Sequence, residues 1–222
     1  MASLNFPDNA SWKPYNHTKE NITPFELIPR ILGYCKNVDE ACEVLRKINP
    51  LNEAFSPELP LSPLHWLLAD AQRSVTVEFR ADGLHLHENP MGVLTNNPPF
   101  EFQLFNLSNY LNLTKNVPKS TFAPGLSLRQ YSRGMGAIGL LGDLSSASRF
   151  VKATFTKLNS LSGPSEVESV TQFSTFYALW PNNADAFTSV ATNMSTPSTP
   201  PVATPTRGLT TTPPMKTKCY VR

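Results

Sequence analysis

The chain has 222 residues, 40% of them hydrophobic, and a formal net charge of +2. That length can bury a sizeable core, while so small a charge without a Lys/Arg cluster argues against a nucleic-acid or membrane partner. No apolar run approaches a membrane span, the opening Met1-Ala2-Ser3-Leu4-Asn5-Phe6-Pro7 lacks a signal-peptide pattern, and Cys35, Cys42 and Cys219 sit at unrelated spacings that suit reduced thiols, so a cytoplasmic protein is expected.

Residues 1–21 are polar, irregular and interrupted by Pro7 and Pro14, and read as a loop-rich lead-in. Thr23-Pro24-Phe25-Glu26 is a helix start: Thr23 caps, Pro24 takes the first helical position and Glu26 reaches back, ahead of apolar Leu27, Ile28, Ile31 and Leu32. Pro29 should bend this helix or delay its regular part. Asn37-Val38-Asp39-Glu40 repeats the capping arrangement before Ala41, Cys42, Leu45 and Ile48 at helical spacing, which predicts a helical hairpin. Residues 49–63 carry Pro50, Pro57, Pro60 and Pro63 and form a long loop, in which Phe55, Leu59 and Leu61 are free to cover something apolar.

From His65 to Leu86 the pattern is that of a three-stranded antiparallel meander. Val75, Val77 and Phe79 alternate with Thr76, Glu78 and Arg80, the mark of a half-buried strand, and Asp82-Gly83 supplies a tight turn. A further short strand is expected over 91–95, running into Asn96-Asn97-Pro98-Pro99, where two carboxamides stand at a strand end and two prolines forbid its continuation. Phe100, Leu104, Leu107 and Phe105 predict a short helix packed on the strands. Residues 109–141 are poorly periodic and glycine-rich, yet Phe122, Leu126, Leu128, Tyr131, Ile138 and Leu140 favour packing against another subunit over disorder. Ser145 or Ser146 then caps a helix with the face Phe150, Thr154, Leu158, Leu161, placing Arg149 in its first turn. From 174 to 222 Thr and Pro dominate and no apolar period survives, so a disordered tail is expected.

The runs PLHWLLAD, NPMGVLTNNPPFEFQLFNLSNY and YSRGMGAIGLLGDLSSASRFVKATFTKLNS resemble the choloylglycine hydrolase and penicillin V acylase family, the conjugated bile salt hydrolases among them, over residues 1–173. The resemblance implies an α+β fold, the αββα sandwich of N-terminal nucleophile hydrolases, incomplete here at both ends. It implies cleavage of the amide of glycine- or taurine-conjugated bile acids, no cofactor, no metal, and a homotetramer assembled through 109–141. In such a fragment the meander should keep open edges, and Val75, Val77 and Phe79 should lose their covering partners. Codons able to encode Pro181-Asn182-Asn183-Ala184-Asp185-Ala186 spell a family-like continuation in the neighbouring frame, which points to a frame shift over the tail.

The family nucleophile is a cysteine exposed by removal of the initiator methionine. Ala2 stands after Met1 here, and the resemblance aligns Leu4-Asn5-Phe6-Pro7 with an internal stretch, so the chain by itself is expected to be inactive. By the same resemblance Asn5 and Asn96 match donors to the oxyanion, Arg149 matches the arginine near the nucleophile, and Phe55 and Leu59 would meet the apolar steroid face. Asn97 is expected to be structural. His85 and His87 share a strand face, but no acidic or Cys partner lies at metal-ligand spacing, so a solvent-facing surface is expected. Two alternatives stay open: a penicillin V acylase-type amidase, and a non-catalytic bile-acid-binding remnant.

Overall fold

The computed structural model describes residues 1–161 together with 163, 165, 167, 168, 170 and 171. Along the chain run β1 (Ala2–Asn5), β2 (Glu20–Ile22), α1 (Leu27–Tyr34), α2 (Val38–Leu45), β3 (Ile48–Pro50), β4 (Leu64–Ala69), β5 (Ser74–Arg80), β6 (Gly83–Glu88), α3 (Phe100–Asn106) and α4 (Ser146–Asn159). The predicted meander is present as β4, β5 and β6, and β1 adds a fourth antiparallel strand in the order β1-β4-β5-β6. A short parallel pair, β2 with β3, stands apart. The fold is α+β, as expected, and the expectation of a Thr/Pro tail over 174–222 lies outside the described residues.

Local chemistry explains the helices. Glu26 Oε2 accepts from the Thr23 hydroxyl at 2.6 Å and the Thr23 N–H at 3.1 Å, so the reach-back forms, while the regular helix begins only at Leu27. Pro29 then lies in the first turn, where its missing N–H would have had no helical partner. Asn37 caps α2 by accepting from the Glu40 N–H at 2.9 Å, and Glu40 accepts in return from the Lys36 N–H. Ile48, expected on the same helical face, belongs instead to β3, because α2 ends at Leu45.

Strand β5 is buried on both faces, not on one. Trp66, Leu68, Val75, Val77 and Phe79 pack with Ile31, Val38, Ala41 and Leu45 of α1 and α2. On the opposite face, Leu4 and Leu67 meet Phe100 of α3 and Phe150 of α4, and Thr76 and Glu78 are fully buried as well. The helical hairpin therefore covers Val75, Val77 and Phe79, which corrects the expectation that they lose their partners.

Other departures have equally local causes. The lead-in over 1–21 contains β1 and β2. No strand forms over 91–95: buried Asn89 donates to the Val93 carbonyl at 2.8 Å and accepts from the Gly92 N–H at 3.0 Å, replacing ladder bonds with a turn. Helix α3 buries Phe100 and Gln103, while Leu104 and Phe105 point outward. Likewise α4 buries Ser148, Phe150, Val151 and Thr154, leaving Leu158 exposed and Leu161 beyond its end.

Candidate active site

The segment between β6 and α3 is anchored along its whole length. Thr95 Oγ1 donates to the Ser146 carbonyl at 3.0 Å and accepts from Gln103 Nε2 at 3.2 Å. Gln103, fully buried in α3, also donates to the carbonyls of Asn96 and Asn97 at 3.4 and 3.3 Å. Asn97 Nδ2 donates to the Pro7 carbonyl at 2.8 Å, and its Oδ1 accepts from Asn9 Nδ2 at 3.2 Å. Asn97 thus ties the segment to the chain leaving β1, and the next peptide bond, Asn97–Pro98, is cis.

This scaffold sets the carboxamide of Asn96. Its Nδ2 donates to the Asn5 carbonyl at 2.9 Å, and its Oδ1 accepts from Arg149 Nη2 at 2.7 Å. The three residues singled out in the sequence, 91 and 53 positions apart along the chain, therefore stand in series. A carboxamide carries two N–H donors. Arg149 occupies the oxygen and Asn5 one N–H, so the second N–H of Asn96 is left in a known orientation.

Arg149 is positioned by the cap of α4. Ser145 accepts from the Ser148 N–H at 3.2 Å, and Asp143 accepts from the Ser148 hydroxyl at 2.6 Å and the Ser145 N–H at 2.9 Å. Hydrogen bonds from the Ser145 and Ser148 hydroxyls hold the Asp143 carboxyl down at a pKa of about 2. Arg149 Nε donates to the Leu144 carbonyl at 3.1 Å, and burial pushes the guanidinium pKa down without approaching neutrality.

Phe55 and Leu59 line an apolar cleft of about 440 Å³ with Pro24, Phe25 and Leu64. Phe25 and Phe55 meet edge to face at 5.2 Å. Leu64 is also the cross-strand partner of Asn5, so the cleft opens beside the end of β1 that carries the Asn5–Asn96–Arg149 series. Apolar walls next to oriented polar donors can take a largely apolar ligand bearing one polarised carbonyl.

Other candidates separate clearly. Burial pushes the thiols of Cys35 and Cys42 up, the reverse of what activates a nucleophile. His85 and His87 are only partly exposed, which corrects the expected solvent-facing surface: His85 Nε2 lies 2.9 Å from Asp82, while His87 faces Glu78 and Glu101. Spacing along the chain missed Glu78 and Glu101 because the first comes from the neighbouring strand β5 and the second from α3. Gln103, Thr95 and Ser146 were also missed; a lone glutamine one turn after Phe100, on the side the helix buries, was the available signal.

Residues 1–196 match the family model for linear amide C–N hydrolases, choloylglycine hydrolase family. The chain is similar to the bile salt hydrolase/transferase of Lactiplantibacillus plantarum, 54% identical over 173 residues that make up 78% of this chain and 53% of that protein. It is 38% identical over 158 residues to the bile salt hydrolase/transferase of Bifidobacterium longum subsp. longum, covering 70% of this chain and 49% of the relative. Crystal structures of two variants of conjugated bile acid hydrolase from Clostridium perfringens superpose with TM-scores of 0.64 and 0.63 at 33% and 34% identity, covering 70% and 69% of this chain and 48% and 47% of theirs. The chain spans about half the length of the curated relatives it matches.

Proposed function

The chain belongs to the choloylglycine hydrolase family of linear amide C–N hydrolases, and on that premise we propose that it forms the oxyanion side of a site that cleaves the amide of glycine- or taurine-conjugated bile acids. The observation that carries this is the series Asn5–Asn96–Arg149 beside an apolar cleft. A tetrahedral intermediate places negative charge on the former carbonyl oxygen. The unoccupied N–H of Asn96 is the donor that meets it, and one preorganised donor of this kind is worth about 3–4 kcal/mol. Arg149 acts first on Asn96, whose oxygen it holds, and adds positive charge that favours thiolate over thiol at a nucleophile nearby. Burial raises the thiols of Cys35 and Cys42, which disfavours the thiolate that such a nucleophile needs. The family resemblance supplies it as a terminal cysteine, from a segment that would precede these residues. Phe55 and Leu59 bind the steroid by buried apolar area. The same reading places the protein in the cytoplasm, as a homotetramer joined through 109–141.

The test is a hybrid enzyme in which this chain is extended with the flanking segments of the Lactiplantibacillus plantarum relative. It is expected to release glycine and taurine from glycocholate and taurocholate, and Asn96→Ala is expected to lower kcat by about 10²–10³-fold. Unchanged turnover in Asn96→Ala would remove Asn96 from the oxyanion site. A preference for penicillin V over bile acids would replace the substrate class.

A further inference from the structure

A second polar cluster lies on the α3 face of the sheet, on residues that the Asn5–Asn96–Arg149 series does not include. Glu78 of β5 is fully buried, and its two oxygens have different surroundings. Oε1 accepts from the Phe100 N–H at 3.0 Å and lies 3.3 Å from His65 Nδ1, within a histidine stacked on Phe6 at 4.3 Å. Oε2 accepts no hydrogen bond. It is aimed toward His87 of β6, whose Nε2 is 3.9 Å away, and His87 Nε2 lies 3.4 Å from Glu101 Oε2 of α3. Neither of those two buried atoms has a hydrogen-bond partner either. Three atoms, two carboxylate oxygens and one imidazole nitrogen, thus converge within 4.8 Å of one another, and no hydrogen bond reaches them among the described residues.

We propose that Glu78 Oε2, His87 Nε2 and Glu101 Oε2 form a binding site for a divalent cation of the zinc class. One imidazole and two carboxylates make a donor set that such an ion accepts in tetrahedral geometry, with a fourth position for water. Among the described residues these three buried atoms make only long ion contacts, at 3.4 to 3.9 Å, and a cation satisfies all of them together. Each carboxylate is fixed through its other oxygen: His65 and the Phe100 N–H hold that of Glu78, and Arg80 Nη1 bonds that of Glu101 at 2.6 Å. Arg80 Nη1 also lies 3.5 Å from Glu78 Oε2. With both carboxylates ionised and His87 neutral, Arg80 still leaves one net negative charge for the cation to meet. Partial exposure of His87 and Glu101 provides the way in. The bound ion would join β5, β6 and α3 just after the segment that carries Asn96, which makes it a structural pin and not a participant in amide cleavage.

The experiment is equilibrium dialysis of the full 222-residue chain against Zn²⁺, with Co²⁺ as the spectroscopic probe. One ion per chain is expected, with ligand-field bands of a four-coordinate nitrogen/oxygen site and no thiolate charge-transfer band. His87→Ala and Glu101→Gln should each weaken binding about tenfold or more, while His85→Ala, on the same strand, should leave it unchanged. Circular dichroism confirms that each variant is folded. If His87→Ala fails to fold, the Glu101→Gln isotherm and the Co²⁺ spectrum of the unaltered chain decide. Absence of stoichiometric binding, a Co²⁺ spectrum equal to that in buffer, a thiolate band, or binding that survives Glu101→Gln would overturn the proposal.

Discussion

Asn96 is oriented through a series of contacts whose outermost member is Asp143. Its carboxylate holds the first turn of α4 through Ser145 and Ser148, and α4 holds Arg149 against Asn96. Hydrogen bonds from the Ser145 and Ser148 hydroxyls depress its pKa from an ordinary 3.8 to about 2. A depressed carboxyl contributes stability above its unfolded pKa and loses it as pH falls through the folded one. The first turn of α4 is therefore expected to loosen between about pH 4 and pH 2, and Asp143→Asn should loosen it at neutral pH. An NMR titration that follows the Asp143 carboxyl and the Ser145–Ser148 amides checks this, and a midpoint near 4 would contradict it. The resemblance could mark Asn5, Asn96 and Arg149, but not the supporting residues. Asp143, Gln103 and Thr95 are common types at unremarkable spacings, and only their distant partners give them a role.

At the scale of elements, the turn after β6 carries more of the site than any strand. Asn89 is fully buried and replaces three backbone or hydroxyl partners, bonding Thr76 Oγ1 at 3.0 Å, the Val93 carbonyl and the Gly92 N–H. Asn89→Ala would leave the Val93 carbonyl and the Thr76 hydroxyl without this partner in a dry interior, while the Gly92 N–H keeps its bond to the residue-89 carbonyl at 2.9 Å, and is expected to destabilise the chain by about 2–4 kcal/mol. Urea denaturation measures it; a loss under about 1 kcal/mol would mean that water or a shifted backbone replaces the side chain. The same turn shows where sequence patterns stop being informative. Alternation identified β5 and the Asp82-Gly83 turn, and cap chemistry identified α2 at Asn37. Alternation reports which residues share a face, however, and not whether a face is covered, so Glu78 looked solvent-facing although it is buried under α3. Strand β1 was illegible because its four residues gain strand character only from Leu64–Leu67, some sixty positions on.

For the molecule as a whole, the question is what its uncovered surface does. The sheet buries both faces of β5 between two hydrophobic clusters, one on each side, so the described part should melt cooperatively. Among the described residues strands β1 and β6 form the two margins of the sheet, the positions at which a further strand can add. Helix α3 turns Phe102, Leu104 and Phe105 outward, and the long excursion over 109–141 exposes Phe122 at 82% and Tyr131 at 83%. Apolar surface on this scale is expected to drive association. The excursion is closed at its base, where the Thr114 N–H donates to the Gly136 carbonyl at 2.9 Å. A Cβ at residue 136 would lie 2.3 Å from the Asn116 carbonyl oxygen and 2.4 Å from that of Thr114, so only glycine allows the closure. Sedimentation velocity of the 222-residue chain is expected to show concentration-dependent self-association together with a cooperative melt. In the hybrid carrying both flanking segments, a single oligomer should replace that distribution, and Gly136→Ala should shift it toward monomer while leaving the melt of the core in place. A monodisperse monomer from the unextended chain would show that these exposed side chains do not drive association, and an oligomer unaffected by Gly136→Ala would move the interface away from the excursion.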